Sequence, residues 1–165
     1  MPSDLTVWAG GFSVPDLARR SGLDVDDSGR LRVDATLRST SRSNVIGVGD
    51  AVSIADRPYI RMSCQAAIPL GVHGAGTVWD VLQGRDPEQL SLGFTAQCIS
   101  LGRSRAALQF TASDDAPRGA AVRGRLAAPV KEGILRGTIW FMRRQARGHA
   151  PFVPTGPSHE EVVAQ

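Results

Sequence analysis

Apolar and polar positions divide the chain into short runs with clear punctuation. Leu5-Thr6-Val7-Trp8-Ala9 is an apolar run closed by Gly10-Gly11, the pattern of a buried strand that ends in a tight loop. Val14 to Arg20 predicts a brief helical turn, opened by Pro15 and followed by Ser21-Gly22. Leu31-Arg32-Val33-Asp34 alternates as a half-exposed strand does, and Asn44-Val45-Ile46-Gly47-Val48 predicts a second buried strand that ends at Gly49-Asp50. A helix is expected from about Cys64 to Leu82, carrying Ala66, Ala67, Leu70, Ala75, Val78, Val81 and Leu82, with Gly84 where a helix C-terminus wants one. Gly71, Gly74 and Gly76 each cost about 1 kcal/mol of propensity in an exposed helix interior, which points to close approach of a neighbouring backbone or ligand.

Asp86-Pro87-Glu88 reads as a boundary, and the pattern changes after it. Phe94 to Ser100 and Ala106 to Thr111 are strand-like and joined across Leu101-Gly102-Arg103-Ser104-Arg105, which predicts a hairpin. Val130 to about Arg147 is a second helix. On a helical wheel Val130, Ile134, Leu135, Ile139, Phe141 and Met142 share one half, while Arg136, Trp140, Arg143, Arg144 and Arg147 crowd the other. Such a helix either packs its apolar stripe on the hairpin and solvates its arginines, or lies in a membrane interface. Ala150 to Gln165 holds three prolines and little apolar content, so a frayed tail is expected.

Composition narrows the function classes. The chain has 165 residues and a mass of 17.5 kDa, with 42 % apolar residues, the level of an ordinary globular domain. No window suits a transmembrane helix and the start has no signal-peptide pattern, so a cytoplasmic domain is expected. Cys64 and Cys98 stand 34 positions apart, which excludes a zinc cluster, a CxxC redox pair and a disulfide scaffold. Residues 1–61 carry eight Arg against eight Asp, whereas residues 117–165 carry a net charge of +5. That basic C-terminal portion can meet phosphate, anionic lipid or an acidic partner. Nucleic acid is a poor candidate, since no recognition motif is present and aromatic residues are only 5 %.

Spacing alone supplies no catalytic constellation and no metal site. His73, His149 and His159 are scattered, Ser13, Ser63 and Ser100 lack a GxSxG elbow, and no GxGxxG follows a strand. What stands out is the sequence Asn44 to Ala51, in which a predicted strand delivers Gly49-Asp50 into a loop. Thr6-x-Trp8-Ala9-Gly10-Gly11 precedes it, and Ser63-Cys64-Gln65-Ala66-Ala67-x-x-x-Gly71 follows at the head of a helix.

In that order the three segments resemble the C-terminal part of the two-dinucleotide-binding flavoproteins, the pyridine-nucleotide-dependent FAD oxidoreductases. Within them the chain looks most like the type II NADH dehydrogenase branch. Thr6 to Gly11 matches the return from the NAD(P)H domain to the FAD domain, Asn44 to Asp50 the second FAD motif, and Gln65 to Gly71 the start of the helix behind the flavin. The resemblance covers about residues 3–148, with weaker echoes at Ser100-Leu101-Gly102 and Val130-Lys131-Glu132. Cys64 stands where the family usually has a small Ala, and the resemblance gives it no redox role.

The resemblance implies an α+β chain: an incomplete, Rossmann-like FAD-binding domain over residues 1–88 without its N-terminal βαβ unit. A small hairpin-plus-helix domain would follow over 89–149, then the tail over 150–165. It implies that Asp50 accepts hydrogen bonds from FAD hydroxyls, that Gly49 and Gly10 admit close backbone approach, and that Gln65 and Ala66 open a helix aimed at the flavin. Gln65 would also border the place where an acceptor such as a quinone stacks. NAD(P)H is the implied electron donor, and the partners implied are the FAD and NAD(P)H domains absent from this sequence. Taken alone, the chain is expected to be inactive. The sheet edges those domains would cover suggest a homodimer. A dimerising or membrane-docking module, held to the inner face of a membrane through Arg136 to Arg147, is the alternative.

Overall fold

Two valines and two leucines explain why the first half closes. In the computed structural model, which describes residues 3–8, 10–148 and 154–157, β1 (Leu31–Val33) lies parallel to β2 (Val52–Ile54). Leu31 and Val33 point inward while Arg32 is exposed, so the alternation read from the sequence is the alternation of burial. Leu37 is fully buried beside them, with its φ of 68° in the left-handed region, where the chain reverses after β1. A short helix, α1 (Leu17–Arg20), precedes β1 and buries none of its residues.

The long helix α2 (Cys64–Leu82) has the bounds the sequence predicts. Ser63 caps it, its hydroxyl accepting from the Ala66 N–H, and Gly84 follows with a φ of 70°. Ala66, Pro69, Leu70, Gly74 and Thr77 form its buried side. Gly74 is where the helix needs a glycine, because a Cβ there would fall on the Val48 side chain, whereas Gly71 and Gly76 face open space. The buried Thr77 hydroxyl donates to the Thr36 carbonyl at 2.8 Å and fixes the helix to the turn after β1.

The chain beyond α2 returns to this core before it builds anything else. Leu90, Leu92 and Phe94 are buried with Leu31, Val33, Val52, Ile54 and Leu70 in one cluster. The Leu90 N–H donates to the Ala35 carbonyl at 2.7 Å, and the Tyr59 hydroxyl donates to the Leu92 carbonyl at 3.0 Å. A three-stranded antiparallel sheet follows, in the order β3 (Ala96–Ser100), β4 (Ala106–Thr111), β5 (Pro117–Gly124). Helix α3 (Ala127–Gln145) lies across all three strands. The fold is therefore mixed α and β, with two small sheets.

Several expectations need correction. Leu5, Val7 and Trp8 are 81–90 % exposed and form no strand, and among the described residues no strand pairs with them; Ala9 lies outside the described residues. Asn44 to Val48 is not a buried strand either: only Ile46 bridges, to Arg38, and Val48 is 41 % exposed. A Cβ on Gly47 would fall on the Val52 and Leu31 side chains, so the segment packs closely against the parallel pair, and it is Val52–Ile54 that pairs with β1. The first helical turn starts at Leu17, three residues later than read. Strand β5 was not foreseen, and α3 begins at Ala127, three residues earlier than expected.

The packing of α3 also departs from the wheel. Only Ala127 is fully buried, while Val130, Ile134, Leu135, Ile139, Trp140 and Met142 are 44–60 % exposed. Lys131, Thr138, Phe141 and Gln145 are half-buried instead, so the helix turns a mixed face to the sheet and leaves most of its apolar stripe outside. The expected tail lies largely outside the described residues. Its described part, 154–157, is pinned: the Gly93 N–H donates to the Pro154 carbonyl and the Gly156 N–H to the Ser91 hydroxyl.

Candidate functional site

Gly49 opens the 3₁₀ turn Gly49–Ala51 with a φ of 73°, a conformation that favours glycine and that aims the next side chain toward α2. The Asp50 carboxylate accepts through Oδ1 from the Ser63 N–H at 2.9 Å. Ser63 is the N-cap, so the carboxylate sits at the positive end of α2. The N–H groups of Cys64 and Gln65, in the first turn, have no carbonyl to meet within the helix. Acceptor carboxylate and free donors therefore meet at one spot.

Two clefts open from that spot. The first, about 570 Å³, lies between Phe12–Pro15, the residues Val48, Asp50 and Ala51, and Met62–Cys64. The second, about 790 Å³, lies between the start of α2, strand β3 and helix α3. Phe12, Met62, Ser63 and Cys64 border both. The larger cleft is walled mainly by apolar side chains, among them Ile68, Ile99, Ile134 and Phe141. Its polar lining includes Arg61, Ser63, Gln65, Gln97, Ser100 and Thr138, and two of these bind one another, Arg61 Nη2 donating to Gln65 Oε1 at 3.3 Å.

Arg61 and Gln65 also tie the head of α2 to the second sheet. Gln65 Nε2 donates to Thr95 Oγ1, and Arg61 Nη2 to the Ala96 carbonyl, both at 3.3 Å. Arg61 further pairs with Asp115 and stacks 4.2 Å from the Phe94 ring centre. Asp115 holds a φ of 69° in the turn between β4 and β5 and accepts from Gln97 Nε2 at 3.0 Å. Arg61 was missed by sequence reasoning, and no pattern marks it: a single cation between Ile60 and Met62 looks like any surface arginine.

Of the residues singled out from the sequence, Asp50 lines the smaller cleft with Gly49 before it in the same turn, and Gln65 lines the larger cleft. Ala66 is buried one residue behind Gln65. Gly10 is exposed, with the Trp8 indole as its close neighbour, and stands two residues before Phe12. Cys98, on β3, lines the larger cleft; burial pushes its thiol above the usual range, Lys131 and Arg61 pull it down, and Cys64 adds to the rise. Among the described residues no three His, Cys, Asp or Glu side chains gather as metal ligands, and no helix is long and apolar enough to cross a membrane.

No family model matches the chain. Over 87 residues it is 31 % identical to demethylphylloquinone reductase NdbB from Synechocystis sp.. The match covers 52 % of this chain and 22 % of that protein, so the chain corresponds to about a fifth of the relative's length. The similarity supports a distant relationship to an oxidoreductase of the NADH dehydrogenase kind.

Proposed function

We propose that this chain forms the flavin-facing wall of an FAD site in a reductase that draws electrons from NAD(P)H and passes them to a quinone. The observation that supports this most is the Asp50–Ser63 hydrogen bond, which brings a carboxylate and a helix N-terminus to one cleft. The residues suit the group. Asp50 is exposed and uses Oδ1 on Ser63, so Oδ2 is available to accept from sugar-alcohol hydroxyls. Apart from Gly49 and its two chain neighbours, no described residue has an atom within 4 Å of where a Gly49 Cβ would stand, which leaves room for a ligand against the backbone. FAD, when bound, supplies hydride acceptance and electron release. The protein's part is to hold it: Asp50 binds hydroxyls, the first N–H groups of α2 favour negative charge, and buried Ala66 keeps the helix close to the core.

On this reading residues 1–88 belong to the FAD-binding unit and residues 89–149 complete the acceptor side. The larger cleft receives a flat quinone ring, with Gln65 and Arg61 as its polar neighbours. The relative is named for demethylphylloquinone, which makes a naphthoquinone the first class to try. Units that hold the adenosine half of FAD and the nicotinamide nucleotide come from outside this stretch, as the 22 % coverage of the relative allows. Gly10 enters the proposal through the family resemblance alone.

The test is a riboflavin titration followed by amide chemical shifts. Shifts confined to Gly49, Asp50 and Ser63 to Gln65, and lost in Asp50→Asn, support the reading. An undisturbed smaller cleft at saturating riboflavin overturns it. The isolated chain is expected to bind FAD weakly and to oxidise no NADH.

One observation favours an additional role for α3. Its apolar side chains are half-exposed beside Arg136, Arg143, Arg144 and Arg147, with the Arg144 guanidinium 5.5 Å from the Trp140 ring centre. That arrangement suits peripheral contact with an anionic membrane surface.

A further inference from the structure

Both cysteines of the chain face the same large cleft, Cys64 from the first residue of α2 and Cys98 from the middle of β3. Both are free thiols. Cys64 is exposed and borders both clefts, while Cys98 is half-buried. The walls between them are Ile68, Ile99, Ile134 and Phe141, which favour a flat apolar ring over water. A cleft of about 790 Å³ is large enough for a bicyclic ring system and holds it beside sulfur.

We propose that this cleft is a covalent capture site, in which Cys64 adds to a planar quinone that keeps a ring C–H beside a carbonyl. The proposal rests on the reading of the cleft as a quinone site. The Cys64 sulfur bonds to that ring carbon, and the C=C electron pair moves onto the conjugated carbonyl oxygen. The thiol proton and the displaced ring hydrogen reach the two oxygens through solvent. Thiol plus quinone thus gives a hydroquinone thioether, with the ring reduced by the electrons of the new S–C bond and no further reactant needed. Retention of the ring beside sulfur raises its local concentration, so addition there outruns addition to an ordinary exposed thiol. Cys98 lags because burial keeps it protonated to higher pH. The adduct fills the cleft and closes it to further quinone.

The full chain is incubated with unsubstituted para-naphthoquinone, and adducts are followed by intact mass and peptide mapping. The expected result is a Cys64 adduct whose rate saturates with quinone concentration and runs about tenfold or more ahead of Cys98. Gly137→Trp puts an indole into the cleft from a position with open space around it, and slows the adduct by about tenfold while slowing iodoacetamide, which also reaches Cys64 from the smaller cleft, much less. Ile134→Trp is the second variant, should the first disturb α3. A rate that rises linearly and equals that of free cysteine, or prior labelling of Cys98, overturns the proposal. The dimethyl derivative, which has no ring C–H to lose, separates the two readings. If it protects Cys64 from iodoacetamide and naphthoquinone still forms no adduct, capture fails and the quinone site stands. If it gives no protection and addition does not saturate, both fail.

Discussion

Arg61 and Asp115 form an ion pair between the segment that leads into α2 and the turn that joins β4 to β5. Their side chains are 28 % and 11 % exposed, so the pair is largely shielded, and Arg61 also reaches Gln65, the Ala96 carbonyl and the Phe94 ring. Loss of the cation leaves the Asp115 side chain with Gln97 as its partner among the described residues. Arg61→Met is therefore expected to lower unfolding stability by about 1–3 kcal/mol, and Asp115→Asn by less, since Asn accepts a left-handed φ and still bonds Gln97. Urea midpoints of the two variants check the order.

The three glycines of α2 predict effects of opposite sign. Gly74→Ala drives a methyl into Val48 and costs about 1–3 kcal/mol through overpacking. Gly71→Ala and Gly76→Ala meet no atom within 4 Å, and each adds up to about 1 kcal/mol of helix propensity. Thermal denaturation ranks the three, and a stabilising Gly74→Ala would remove the close approach from the account.

Acid should find Asp26. Burial alone would raise its pKa, but the Arg30 backbone N–H at 2.9 Å, the Arg30 guanidinium at 2.8 Å and the Ser28 N–H outweigh it and hold the carboxyl below 3.8. A folded-state pKa below the unfolded one adds stability above the unfolded value, and that stability is lost as pH falls through the folded one. Native stability should thus decline below about pH 4, and Asp26→Asn should flatten that part of the curve while lowering the plateau at neutral pH. Urea melts between pH 3 and pH 7 are the measurement.

If α3 meets a membrane, Arg143→Ser, Arg144→Ser and Arg147→Ser together should abolish sedimentation with anionic phospholipid vesicles at low salt, and neutral vesicles should bind neither protein. Failure of the native chain to bind anionic vesicles ends that reading. The exposure of Ile139, Trp140 and Met142 is then left for another partner to explain.

What was legible in the sequence was local. Ser63, Gly84 and the apolar spacing between them place α2 because a helix satisfies its own backbone and advertises its ends. The β3–β4 hairpin was legible for the same reason, since its partners lie within a few residues. Where strand composition and strand pairing part company, the strand was not. Leu5 to Trp8 has strand composition but no strand partner among the described residues, and Pro117 to Gly124 lacks apolar alternation yet becomes β5 because β4 offers it an edge. For the site, Gly49, Asp50 and Gln65 could be named from motif order, but their joint placement depends on a hydrogen bond spanning thirteen residues. Arg61 gave no signal because its role comes from Asp115 and Ala96, far along the chain.

Leu90, Leu92 and Phe94 sit after the Asp86-Pro87-Glu88 punctuation, yet they fill the interior built by β1, β2 and α2. The N-terminal portion therefore borrows three of its deepest side chains from the segment that leads to the second sheet. Heat or denaturant should melt both portions in one cooperative, all-or-none step. A polypeptide cut at residue 88 should behave as a loosened, dye-binding globule, not as an autonomous folding unit.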